Sequence, residues 1–382
     1  MNTAERRDEF LETVVRVGAE RAAARPIIEE LRTSAEMVWE RELPHAWRTA
    51  GFAQELISVA DEVLEDDPRQ SLIFAQLALT VTTSIPRNAY PPPLHAQLEG
   101  SAWKQIGTAH CYRSAYDAAL RAYDAAERCF RSEASLTHDL AVNDFARAIA
   151  LSDMGRQAEA RKLLERVVPV FRDFGDHKRV VKAMCVTGVI EQREGRFRGA
   201  LAAYESALRE VPDDDLQTRA TLDLNLGHVK AELGETNEAM LLLHQALALF
   251  TELKMTGEAK RTEWVLARTL LLSGEFERAI PSLQSTRDDF MTRSMPEEAG
   301  LAGLDLAEAF IATGKLTQAR EITESVLVEF RAANLNARAI TALAYLRDLP
   351  ETSRSGRAVR HVRAYIEQLR HEPSRAFLPL PD

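Results

Sequence analysis

Alanine recurs at a near-constant interval in this 382-residue chain: Ala119, Ala160, Ala200, Ala239, Ala279 and Ala319 stand 41, 40, 39, 40 and 40 residues apart. Five residues before each of the last five stands a glycine, namely Gly155, Gly195, Gly234, Gly274 and Gly314. Phe250, Phe290 and Phe330 keep the same 40-residue step. A period of this length means that one supersecondary unit is used repeatedly, and it constrains the fold more than any composition value does.

The unit reads as two helices. Apolar residues return at three- and four-residue steps on either side of each glycine, which is the period of an amphipathic helix. The glycine ends the first helix because it enters the left-handed region without a Cβ penalty. The alanine that follows is small where the two helices cross. The chain is 46% hydrophobic, 28% charged and 7% aromatic, and is dense in Ala, Leu, Glu and Arg. These residues lose little rotamer freedom in a helix. A single pair cannot cover its own apolar face, so neighbouring pairs must stack.

The pattern resembles the tetratricopeptide repeat (TPR), whose signature runs W-x2-L-G-x2-Y, then A-x3-F, then P. The first copy supplies Trp103, Ile106 and Gly107, then Ala119, Tyr123 and Ala126, with His110 at the expected Tyr position. The third supplies Gly188, Ala200, Tyr204, Ala207 and Pro212, and the fourth Leu226, Gly227, Ala239, Leu243 and Ala246. Copies two, five and six carry Ala148, Ala267 and Ala307 at the first helix's Gly position. The step exceeds the usual spacing of about 34 residues, as in the long-repeat TPRs of adaptors and bacterial regulators. The resemblance covers roughly residues 95–349. It implies an all-α, TPR-like α-solenoid, a right-handed superhelix of antiparallel helix pairs with a concave groove lined by the first helices.

Carried onto this sequence, the ligand-facing positions of TPR first helices are Lys104 and Thr108, then Lys182, Asn225 and His228. Arg261, Trp264 and Arg268 follow, and then Asp305 and Glu308. Spacing supports a shared side independently, since residues three, four and seven apart lie along one helix face. An Asn there can donate to and accept from a peptide backbone, an Arg can clasp a carboxylate, and a Trp gives a flat anchor. Asn225 resembles the groove asparagine of adaptor-type TPRs, which have a second Asn where this chain has His228. The alternative for Trp264 is packing between adjacent repeats, and for the charges a solvated face.

Three regions are expected. Residues 1–90 read as an N-terminal helical subdomain, with one break near Pro26, another at Pro44, and a degenerate repeat carrying Ser71, Ala75 and Ala78. SIPRNAYPPP (84–93) interrupts helix, and residues 94–349 form an array of about six repeats. Residues 350–382 comprise a linker, a capping helix and a Pro-rich tail that either packs back or docks elsewhere. On that helix Val359, Val362, Ile366 and Leu369 share one side, with Arg357, Arg360, Arg363 and Arg370 around them. A basic membrane or partner helix is its other reading.

No phosphate loop, dinucleotide fingerprint, HExxH or GxSxG occurs. The nine histidines and three cysteines (Cys111, Cys129, Cys185) have no metal-ligand spacing. Neither an enzyme nor a cofactor or metal is expected. The net charge of −10 argues against nucleic acid and anionic membranes as partners. No apolar run of about 18 residues is present, which predicts a soluble, cytoplasmic protein. The functional expectation is a scaffold or adaptor holding a protein or peptide in the concave groove. The alternative is a bacterial regulatory receptor whose array changes shape on binding a signalling peptide.

Overall fold

The computed structural model describes residues 3–33, 43–64, 67–113, 115–293, 295–332, 337–348, 356–369 and 375–380. Among them there are seventeen α-helices and no strand. Packing groups the chain into two compact units, residues 1–151 with 156–175 and residues 152–155 with 176–382.

The first unit begins with α1 (Thr3–Thr33), α2 (Ala50–Glu62), α3 (Pro68–Ser84), α4 (Pro92–Tyr112) and α5 (Tyr116–Arg131), each packed on the next. Most of α6 (Thr137–Asp153) and all of α7 (Gln157–Asp173) complete it. Its core joins Ile28, Phe52, Leu56, Phe74, Val81, Leu98 and Ala102. The expected break near Pro26 does not occur, because α1 runs through it. Proline removes the bond to the carbonyl four residues back, but Ala22 and Pro26 are both exposed, so water can take that carbonyl. The proline stretch forms the α3–α4 connection. Pro92 opens α4 at a position where a missing N–H is harmless, and α3 and α4 pack on each other. The expected second N-terminal helix beyond residue 33, most of the 350–356 linker and Arg370 lie outside the described residues.

The second unit stacks α8 (His177–Arg193), α9 (Phe197–Leu208), α10 (Leu216–Glu232), α11 (Thr236–Glu252), α12 (Thr256–Leu272) and α13 (Phe276–Thr292). It continues through α14 (Pro296–Ala312), α15 (Leu316–Ala332), α16 (Ala337–Asp348) and α17 (Gly356–Leu369). Successive helices pack on one another, and the first helices α10, α12 and α14 also touch in sequence. This is the TPR-like solenoid arrangement. The turn glycines Gly195, Gly234, Gly274 and Gly314 all have φ between 72 and 82°. Asp215 of the acidic 213–215 run caps α10, accepting from the Thr218 N–H at 3.1 Å.

The repeated alanines are helix-crossing points: Ala200, Ala239 and Ala279 are fully buried. A Cβ on Gly227, which faces this crossing, would lie 2.6 Å from Leu243 Cγ. Replacing Ala239 with Leu should therefore force the two helices apart and destabilise the chain by about 1–3 kcal/mol. An unchanged urea midpoint would refute this placement.

Candidate functional site

The 39-, 40- and 40-residue steps put Val186, Asn225, Val265 and Asp305 at one repeat position. Val189, His228, Arg268 and Glu308 share the position one turn later. On α8, α10 and α12 these side chains are partly exposed, that of Arg268 by 14%. On α14 both are buried. The difference comes from α17, which packs on α14 as well as on α16.

Polar side chains link these positions across helices. Tyr204 donates its hydroxyl to Gln192 Oε1 at 3.2 Å, which turns the Gln192 amide Nε2 toward His228 Nδ1 at 3.0 Å. An amide donor there makes Nδ1 the acceptor, so the neutral ring carries its proton on Nε2. That nitrogen lies 3.6 Å from Glu232 Oε1. Arg268 reaches the same oxygen at 2.6 Å and extends its other arm to Asp305 Oδ1 at 3.4 Å. Trp264 Nε1–H donates to Asp305 Oδ2 at 2.9 Å. Arg363 of α17 pairs with Asp305 from the far side.

Two carboxylates of this network end on opposite sides of their ordinary value. Asp305 is fully enclosed, and burial pushes its carboxyl up to about 7, against the pull of Arg268 and the Trp264 N–H. Glu232 also meets a burial penalty, but the hydrogen bond from His228 and the charge of Arg268 outweigh it and hold the carboxyl at about 2. A depressed carboxyl stabilises the fold above its unfolded value, and that stabilisation is lost as pH falls through the folded value. Between pH of about 4.5 and about 2, wild type should thus lose roughly 2–3 kcal/mol that a Glu232→Gln variant never had. Parallel acid-unfolding curves for the two proteins would contradict this.

The ten sequence-derived residues divide between the units. Lys104 and Thr108 lie on α4 of the first, where Thr108 donates to the Lys104 carbonyl at 3.0 Å and accepts from Tyr123 at 3.4 Å. The other eight lie on the second unit. Arg261 pairs with Glu258 and, at 3.9 Å, with Glu298. Trp264, Arg268, Asp305 and Glu308 belong to the network that α17 closes. Lys182 is exposed and Asn225 half-buried, and among the described residues neither side chain has a polar partner. Gln192, Glu232, Arg360 and Arg363 were not singled out as site residues, although Glu232 stands one turn beyond His228 on the same helix face.

Little here suggests covalent chemistry. All three cysteines are free, and burial pushes the Cys129 and Cys185 thiols up to about 11, far from the reactive thiolate. Among the described residues, no group of three or more His, Cys, Asp or Glu is placed to hold a metal ion. No described helix is long and apolar enough to cross a membrane.

Fold and register together define a TPR-like helical-repeat protein with a partly open first-helix face. Among solved structures, apo RapI is similar over 97% of this chain and 99% of its own, with a TM-score of 0.62 at 13% identity. Aspartyl phosphate phosphatase F from Bacillus subtilis is similar over 86% of this chain and 94% of its own, with a TM-score of 0.58 at 11% identity. NprR in complex with its cognate peptide NprX matches over 97% and 99%, with a TM-score of 0.52 at 16% identity. These likenesses establish the fold. No protein-family model and no curated protein matches the sequence.

Proposed function

We propose that this chain is a non-enzymatic, cytoplasmic bacterial TPR protein that binds a peptide or an extended protein segment across α8, α10 and α12. The observation carrying this reading is the open register on those three helices. Half-buried Val186, Val189 and Val265 share the two register positions with Asn225, an amide with no polar partner among the described residues. An amide placed among apolar neighbours can take both a donor and an acceptor from a ligand backbone, while Lys182 at the α8 end attracts a carboxylate. NprR, similar in fold, is solved in complex with its cognate peptide NprX, which supports a peptide as the ligand class.

A displayed random-peptide library panned on the full chain tests this. Selected peptides should lose about tenfold or more in affinity for a Lys182→Ala/Asn225→Ala variant, near 1.4 kcal/mol, with helicity unchanged. Equal binding to the variant would remove the open register as the site.

The regulatory-receptor reading is favoured by one feature. Glu232, Arg268 and Asp305 link the open helices to α14 without a gap, so a ligand that draws on Arg268 shifts charges at α14 and α17. Small-angle scattering with and without a selected peptide separates the two: a receptor changes dimension, whereas a scaffold does not.

A further inference from the structure

A terminal helix that merely seals an array needs apolar cover. Helix α17 supplies that with Val359, Val362, Tyr365, Ile366 and Leu369, all buried. It also does something apolar cover does not require. Arg360 and Arg363, one turn apart, reach Glu308 and Asp305 on α14. These are the two acids at the ligand-facing repeat positions of α8, α10, α12 and α14. Arg363 is 4% exposed and Asp305 not at all, and the guanidinium also lies 5.9 Å from the Trp264 ring centroid. Desolvating such a pair returns little net stability compared with apolar side chains, and its attested benefit is to fix register and partner. The acids on α14 therefore act as a reader of arginine more than as glue.

Other features surround the same contact. Phe377 and Leu380 of the tail join the cluster under α17. His361 bonds the Leu378 carbonyl at 2.7 Å, and Tyr365 donates to that of Arg375 at 2.7 Å. The tail thus packs back, on α17 and not on the open register.

We propose that the α14 face bearing Asp305 and Glu308 is a helix-binding site for an amphipathic helix with two arginines three residues apart and apolar neighbours. Helix α17 is its intramolecular occupant, and a partner protein's helix of the same pattern enters by displacing it. This surface lies beside the open α8–α12 register and is joined to it through Arg268, but a helix can bind here without a peptide there. Tethering gives α17 a high effective concentration, so a partner competes only when it binds tightly or when α17 is loosened.

The test uses the full chain and a fluorescent synthetic peptide of residues 356–369 as probe. A chain with Arg360→Ala and Arg363→Ala has a loosened α17 and intact acids. It should bind the probe at least about tenfold more tightly than wild type does. A probe lacking the same two arginines should lose that gain. Hydrogen exchange supplies the second readout: α14 amides should exchange faster in the variant than in wild type and slow again with probe, while α10 amides stay unchanged. If α14 protection does not change in the variant, α17 is a fixed cap and the proposal fails. It fails also if α14 opens but the probe does not bind. Should the double variant unfold, Arg363→Lys keeps the charge without the forked geometry, and the same two readouts decide.

Discussion

Replacing Asp305 with Ala should destabilise the second unit by about 3–5 kcal/mol, the range for removing one partner of a buried ion pair. Asp305 accepts from Trp264 and pairs with guanidiniums arriving from α12 and α17. Its loss leaves Arg363, 4% exposed, with Glu367 alone, and strands the Trp264 N–H. Urea unfolding followed by far-UV circular dichroism measures the loss. A double-mutant cycle with Arg363→Ala should show coupling, because the cost of the first change includes the charge it leaves behind. A change below about 1 kcal/mol would mean that water reaches these arginines, and that the pair belongs with weak surface ion pairs.

Replacing Phe250 with Ala should cost a similar amount, about 3–5 kcal/mol. Phe250 is fully buried at the end of α11, in a cluster with the buried Ala220 and Ala246 and the partly buried Leu224, Leu249 and Met255, so removing its ring leaves a void in the packing of α10 and α11. Leu241 on the same helix is 61% exposed, and its replacement by Ala should change stability by no more than about 0.5 kcal/mol. Running the two variants side by side separates loss of core packing from loss of helix propensity. If Leu241→Ala is the more damaging, α11 faces the other way.

The helix pairs were legible because the residues that specify them act locally. A glycine at φ near 80° and an alanine at a helix crossing are each needed within a few residues of a turn, so they leave a mark at fixed spacing. The shared repeat register of the first helices was legible for the same reason, down to Asn225, His228 and Arg268. What covers Asp305 and Glu308 was not, since Glu308 meets Arg360 across 52 residues of sequence and no periodic pattern joins them. Two signals pointed that way. Between its acidic first turn and its end, α14 has only Asp305 and Glu308 as charged residues, and residues 299–310 are buried without interruption, as expected of a helix enclosed all round. The arginines of α17 stand around its apolar side in the sequence, yet Arg363 is among the most buried charges described. An acid buried in the middle of a largely apolar helix calls for a cation elsewhere in the chain.

The enclosure of α14 has a consequence for how the protein is made. Translation proceeds at about 5–20 residues per second, so for a few seconds α14 has been synthesised while Arg360 and Arg363 of α17 have yet to be joined to the chain. During that interval α14 is uncovered on its α17 side, with Glu308 lacking Arg360 and Asp305 held by Trp264 and Arg268 of α12 alone. Chaperone demand on nascent chains should peak there, and a premature stop between α14 and α17 should yield a product more prone to aggregation than one cut in the linkers before α14.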